Sequence, residues 1–307
     1  MATTREIALT GPGGEPVDLF RTLNSHGFAD LAPMRLDEEA RTLDLTMRVP
    51  RGVPRRVRIA TAGPGRAAIT VTGPAPSGLA ERAILDGVRR VLRLDQDLSA
   101  FYVLAAADPD LAWVTAGAGR MLRSPTVFED VVKTVCTTNC SWSLTTKMVI
   151  GLVSHLGEPA KGVERDPAAN AFPSPAAMAS EPESFYRGTI RAGYRSPYLV
   201  RLATMVASGE VDPEALAVAT PAELPDEELE ARLLALPGVG PYAAAHILMT
   251  LGRNHRLILD SWTRPKYTRL TGRRAVPSDA AIARRFRSYR EHAGLAFWLF
   301  LTRDWVD

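Results

Sequence analysis

Leu257-Ile-Leu-Asp260-Ser-Trp262 is an apolar run that ends in an acid. A carboxylate held in place can stabilise positive charge developing on a neighbouring atom, or take a proton from water. Its ordinary alternative is to cap a helix running through Thr263 and Tyr267, since Asp ahead of helical residues commonly accepts their end N–H groups. Tyr242 stands 18 residues before it. Just upstream is Pro237-Gly-Val-Gly240, set between two helical patterns. The first carries Leu229, Leu233 and Leu234 and ends at Leu236; the second starts at Pro241, where a missing N–H costs nothing, and ends near Gly252. The two glycines, Gly238 and Gly240, flank Val239 and let the backbone fold tightly and approach a partner closely. They also leave N–H groups pointing outward at a helix N-terminus, a place that binds phosphate without reading a base. A plain helix–turn–helix with a glycine cap fits the same letters.

Other reactive side chains form no such set. His26, His155, His246, His255 and His292 are scattered, without the spacing of a catalytic metal site. Cys136 and Cys140 are the only cysteines. Two thiols cannot hold a four-cysteine iron–sulfur cluster, and they suit a reducing cytosol. The net charge of +3 hides an uneven distribution. Residues 158–232 hold 13 acids against 7 bases, whereas residues 253–303 hold 12 bases against 3 acids. A cationic end fits a polyanionic partner, though a solvated helix face would look the same.

The elements that must position these residues fall into two classes. Residues 1 to about 75 read as strands: Leu43–Val49, Val57–Thr61 and Ala68–Thr72 alternate apolar and polar, with Gly/Pro punctuation between them. A helix is predicted from Ser77 to Leu94, burying Ile84, Val88, Val91 and Leu92. Thr126-Val-Phe-Glu129 reads as a capping box opening a helix through Val131, Val132 and Val135. Thr137–Ser141 breaks it before a second helix with Leu144, Met148, Leu152 and Val153, and Glu158–Pro175 reads as a surface connection. The class is α+β: an N-terminal antiparallel sheet domain over residues 1–115, then a larger helical region over 116–307. The 307 residues suffice for two cores, and no run of about 18 apolar residues or secretory leader is present.

With the hairpin at 229–252 followed by Asp260, the chain resembles the helix-hairpin-helix DNA glycosylases, of the 3-methyladenine and 8-oxoguanine types. Val127–Gly157 looks like the family's first core helices, and Ala192-Gly-Tyr-Arg195 like a segment of the 8-oxoguanine enzymes. The resemblance implies two helical subdomains with the active site between them. It makes Asp260 the catalytic carboxylate, stabilising an oxocarbenium-like sugar as the N-glycosidic bond breaks. Tyr242 occupies the position where bifunctional relatives carry a Schiff-base lysine, and Lys266 does not match that position. The implied enzyme is therefore monofunctional, without lyase activity, and starts base excision repair.

By the same resemblance Tyr242, Trp262, Phe297 and Leu301 form the base pocket. Asn139 fills the gap left by the flipped nucleotide, and Tyr194 and Arg195 act as wedge and opposite-strand contact. The hairpin backbone at Gly238, Val239 and Gly240 grips the strand. The carbonyls of Leu234, Leu236 and Val239 would hold a monovalent cation, Na+ or K+; no other cofactor is required. An apolar aromatic wall favours cationic alkylated purines through cation–π attraction. The Gly-Tyr-Arg segment instead favours 8-oxoguanine, although Leu144 replaces the arginine that reads the opposite cytosine in those enzymes. A DNA-binding module without turnover is the alternative outside enzymology. The expected partner is double-stranded DNA with a damaged base, bound by a monomer in the cytoplasm of a bacterial-type cell at the nucleoid.

Overall fold

A computed structural model describes residues 2–162 and 166–306. Five strands open the chain: β1 (Ala2–Ala8), β2 (Arg35–Asp37), β3 (Thr42–Met47), β4 (Arg55–Gly63) and β5 (Arg66–Thr72). They form one antiparallel sheet in the order β1-β5-β4-β3-β2. Register follows the alternation in the sequence. Val57 faces Val71 and Ile59 faces Ile69, and all four side chains are buried on one face. A one-residue slip would turn that set to solvent, so the pattern fixes the pairing.

Short helix α1 (Leu19–Leu23) precedes β2, and α2 (Gly78–Val91), within the expected span Ser77–Leu94, follows β5 and is capped by Ser77. Ile84, Val88 and Val91 of α2 close the sheet's core together with Leu92. Helix α3 (Ser99–Ala106) leaves the sheet layer: Phe101, Tyr102 and Leu111 pack with residues 282–301 near the C-terminus. The sheet layer's core runs to Leu94 and takes in Leu122 again, while apolar residues between Leu98 and Met121 complete a lobe whose other half comes from residues 245–301.

The remaining helices make two lobes. The first contains α4 (Val127–Thr137), α5 (Trp142–Leu156), α6 (Pro175–Ala179), α7 (Glu183–Gly188), α8 (Ser196–Ala207), α9 (Pro213–Val218) and α10 (Asp226–Leu234). The second contains α12 (Thr263–Leu270), α13 (Asp279–Phe286) and α14 (Ala293–Thr302), with α3. Helix α11 (Pro241–Thr250) is their shared spine. Ala243, Ala244, Ile247 and Leu248 face the first lobe, and Ala245 and Met249 face the second. The expected connection from Glu158 to Pro175 holds one short 3-10 turn, Pro167–Ala169; its residues 163–165 lie outside the described part.

The capping box is half realised. Thr126 accepts the Glu129 N–H at 3.2 Å, but the Glu129 carboxylate turns inward to Lys133 Nζ at 2.7 Å. Both charges are buried, so pairing them outweighs a cap that other groups can supply. Glu214 of α9 caps the helix from outside, accepting the N–H groups of Val127 and Phe128 at 2.7 and 3.2 Å, not the Thr126 N–H that the motif would serve.

A buried guanidinium joins the layers. Arg120 is fully enclosed and donates to Gln96 O and Glu15 Oε1, both at 2.6 Å, and to Arg93 O. Glu15 in turn accepts the Leu98 N–H at 2.9 Å. Removing the arginine strands a buried carboxylate and two carbonyls. We expect Arg120→Ala to lower the unfolding free energy by about 3–5 kcal/mol in urea denaturation; a loss below about 1 kcal/mol would contradict this role.

Candidate active site

Asp260 sits in the loop between α11 and α12, half-buried. Its Oδ1 accepts the N–H groups of Trp262 and Thr263 at 2.8 and 2.7 Å, and its own N–H donates to Thr263 Oγ1 at 2.8 Å. It is thus a capping residue for the start of α12, as the ordinary reading of the sequence allows. That role uses one carboxylate oxygen. Oδ2 accepts no hydrogen bond from the described residues, and Asp260 belongs to the wall of a cavity of about 630 Å³.

The cavity lies where the two helical lobes meet, with the N-terminal layer closing one side through residues 24–38. Its walls are aromatic. Trp142, Trp262, Trp298 and Trp305, four of the chain's five tryptophans, line it together with Tyr242. Trp262, Trp298 and Trp305 form a triangle with ring centroids 5.7–5.9 Å apart. Asp30 and Glu38 stand at the rim, both exposed, and among the described residues no lysine or arginine lines the space. Such an enclosure, aromatic and bordered only by carboxylates, suits a flat, electron-poor or cationic guest.

Of the expected pocket residues, Tyr242 and Trp262 line the cavity, whereas Phe297 and Leu301 do not. Both are fully buried, and Phe297 packs against Tyr267 and Phe286 at 6.1 and 5.4 Å. One position along α14 the direction changes, and Trp298 faces the cavity with its Nε1 donating to Ser25 O at 2.7 Å. Trp305 joins it from the turn after α14, so no helical spacing in the sequence pairs the two. Trp142, His26 and His246 were also missed; residues far apart in sequence supply them.

The hairpin forms a second concavity next to the first, and Tyr242 borders both. Gly238, Val239, Gly240, Leu234 and Leu236 line it, with Asn139 and Tyr194 on the far side. The N–H groups of Gly238, Gly240, Tyr242 and Ala243 meet no backbone acceptor among the described residues. They are therefore free to bind an anion at the start of α11. The glycines serve different ends. Gly238 has φ +79°, and a Cβ there would lie 3.1 Å from both Tyr198 Cβ and Val135 Cγ1. Gly240 has an ordinary φ of −98°, and a Cβ there would meet nothing within 4 Å. Its missing side chain keeps space for a partner, not for the fold. Leu234, expected on the buried stripe of α10, is exposed, while Leu229 and Leu233 fill the core.

Asn139 is exposed at φ +45° in the break between α4 and α5, and Tyr194 is half-exposed with its hydroxyl 3.1 Å from Thr138 Oγ1. Arg195 departs from expectation. It is buried, stacks on Tyr194 at 4.4 Å, and donates to Thr138 Oγ1 at 3.2 Å and to Thr138 O. A guanidinium so engaged braces the Asn139 loop from below and does not reach an opposite strand. Cys136 and Cys140 are free, and Cys140 Sγ donates to Cys136 O at 3.1 Å. Burial pushes the Cys136 thiol up to about 12, so it packs and does not react. Among the described residues no cluster of His, Cys, Asp and Glu could hold a metal ion, and no helix is long and apolar enough to cross a membrane.

A groove of about 780 Å³ between the sheet layer and the first lobe is not a comparable site. Its carboxylates are already engaged, Glu129 with Lys133 and Glu214 with Arg90 and the start of α4.

An antiparallel sheet layer, two helical lobes on a shared spine, and a glycine hairpin beside an acid-bearing aromatic cleft define the fold of the helix-hairpin-helix DNA glycosylases. Three solved structures carry the comparison. The 3-methyladenine DNA glycosylase of Archaeoglobus fulgidus is 19% identical, with a TM-score of 0.73 over 98% of this chain and 99% of that one. MBOgg1 in complex with a low-affinity DNA ligand is 18% identical, with a TM-score of 0.70 over 99% and 97%. The Clostridium acetobutylicum 8-oxoguanine glycosylase/lyase, bound to double-stranded DNA with cytosine opposite 8-oxoguanine, is 18% identical, with a TM-score of 0.69 over 99% and 98%. At these identities the likeness is one of fold. No protein-family profile matches the chain. No curated protein sequence matches it either.

Two outcomes follow from this geometry. Gly238→Ala should destabilise the chain by about 1–3 kcal/mol through its left-handed backbone, while Gly240→Ala stays within about 0.5 kcal/mol yet weakens duplex binding. Urea unfolding and a duplex-binding assay on both variants check this, and equal behaviour of the two would contradict it. The second outcome concerns His26, whose Nδ1 accepts the Phe28 N–H while Nε2 donates to Leu122 O. That arrangement fixes a neutral ring, and burial pushes its pKa from 6.5 down to about 4, with Lys133 adding to the shift and Leu122 O opposing it. Between those values the unfolded chain binds a proton that the folded chain refuses, so His26 lowers stability as pH falls through that window. Asp130, pushed up to about 7 by burial, acts in the opposite sense, so the wild-type slope alone is not diagnostic. The urea midpoint of His26→Gln should fall less than the wild type's between about pH 7 and pH 5; parallel slopes would contradict the assignment.

Proposed function

We propose that the protein is a DNA glycosylase that hydrolyses the N-glycosidic bond of a flipped, alkylated purine and leaves the strand intact. The observation that carries the reading is Asp260: one oxygen fixed by two backbone N–H groups, the other free at an aromatic cavity that adjoins the hairpin. Phosphates of the duplex would lie against the free N–H groups at the start of α11, with the extruded base between the tryptophans. This puts the sugar near the junction at Tyr242. Breaking the bond leaves positive charge on the sugar ring, which the carboxylate stabilises, and the same group orients or deprotonates the attacking water.

Alkylation at a ring nitrogen makes a purine cationic, and the cavity's charge pattern favours that class over the neutral 8-oxoguanine. The monofunctional reading rests on the amines. Among the described residues no lysine lines the cavity, and Lys266 is tied to Asp304 at 2.6 and 2.8 Å. Tyr242 cannot form an imine, and burial raises its hydroxyl pKa further. The implied monovalent cation fits the hairpin in part. The carbonyls of Leu234 and Val239 accept no backbone hydrogen bond across the turn, while Leu236 O takes the Val239 N–H at 3.1 Å. Held there, a cation would add positive charge beside the phosphate-binding N–H groups.

Asp260→Asn separates capping from charge, because an asparagine side-chain carbonyl can accept the same two N–H groups. We expect base release from alkylated duplex to fall about 100- to 10,000-fold with binding to an abasic-analogue duplex largely kept. Undiminished release would remove Asp260 from the reaction.

A further inference from the structure

Several of the cavity's polar groups are already engaged within the protein, and the indoles of Trp142, Trp262 and Trp305 belong to half-exposed side chains. Both nitrogens of His26 are used, by Phe28 N and Leu122 O. Trp298 Nε1 serves Ser25 O, and Thr134 and Thr137 return their hydroxyl protons to Asp130 O and Thr134 O of their own helix. Asn24 gives its amide N–H to Phe20 O. Asp30 and Glu38 are charged and stay at the exposed rim.

His246 is different. It lies one helical turn after Tyr242 on α11, so both side chains leave the same face of the shared spine. Its ring stands edge-on to Tyr242 at 4.5 Å and to Trp298 at 6.1 Å, which fixes its plane between two walls of the cavity. Neither ring nitrogen has a hydrogen-bond partner among the described residues, and Nε2 is buried in that state. A buried nitrogen without a partner is costly unless something else supplies the bond.

We propose that His246 is the hydrogen-bonding reader of the flipped base, presenting a ring nitrogen to the heteroatom edge of a purine held between the tryptophans. The inference rests on the glycosylase reading of the cavity and adds a specificity-determining residue to it. A neutral imidazole carries one donor and one acceptor and does not repel a cationic guest. The surroundings keep it neutral: burial foremost, then His26, push its pKa down to about 4, against the pull of Asp260. The aromatic walls select flatness and charge, and His246 adds a requirement for a polar edge. A flat cation without heteroatoms at its edge would satisfy the walls alone.

That distinction defines the experiment. Free 3-methyladenine and N-methylquinolinium, a flat cation with no hydrogen-bonding group, are titrated into the full-length protein while quenching of tryptophan fluorescence is followed. His246→Phe and His246→Leu, with folding verified by circular dichroism, should each weaken 3-methyladenine about 3- to 10-fold and leave N-methylquinolinium unchanged. His246→Gln, which keeps a donor and an acceptor, should restore part of the loss. Equal weakening of both ligands would mean that His246 only packs the walls, and no weakening of either would mean that it reads nothing; both overturn the proposal while leaving the glycosylase reading intact. A wild type that quenches with neither ligand would instead sink the cavity as a base pocket, and the proposal with it.

Discussion

Two backbone N–H groups on one oxygen of Asp260 are the constraint on which the site depends. They start α12, and in doing so they stop the carboxylate from rotating. A side chain free to turn would spread its charge over the cleft; this one is held in one orientation at the cavity wall, with its second oxygen unpaired among the described residues. Capping and catalysis are usually weighed as rival explanations for an Asp ahead of a helix. Here the cap is the means by which the charge is positioned, because electrostatic stabilisation gains most from groups that need not reorganise during the reaction.

The neighbouring surfaces divide the labour by charge. The hairpin concavity offers unpaired N–H groups and suits an anion; the cavity offers aromatic faces, carboxylates and, among the described residues, no cation. Tyr242 stands at the line between them. A nucleotide has the same polarity, a phosphate at one end and a base at the other, with the sugar between. The spine helix α11 enforces the match. In the proposed complex its first turn would face the phosphate; Tyr242 and His246 line the cavity, and its apolar faces lock both lobes to it.

Much of this was legible in the sequence because it rests on local rules. Strand alternation, the helix after Ser77, the hairpin and its Pro241 start all depend on neighbours a few residues away, and the structure has them where the pattern put them. What escaped depends on tertiary packing. Every residue of α14 from Ala293 to Thr302 is buried, so hydrophobicity carries no phase there, and nothing local says that Trp298 and not Phe297 looks into the cavity. Arg195 reads as an exposed cation until the Thr138 loop is seen closing over it. Residues 98–121 give no sign that their partner lies at the other end of the chain. Glu129 forms its expected motif only in part, since a buried lysine four residues on competes for the carboxylate.

The most direct measurement is chromatography of the products formed when the wild-type protein is incubated with duplexes that each hold one alkylated or oxidised purine. The account predicts a free alkylpurine and an uncut strand that breaks only on later treatment with alkali. Release of no base from any duplex, or a strand cut by the protein itself, would contradict it.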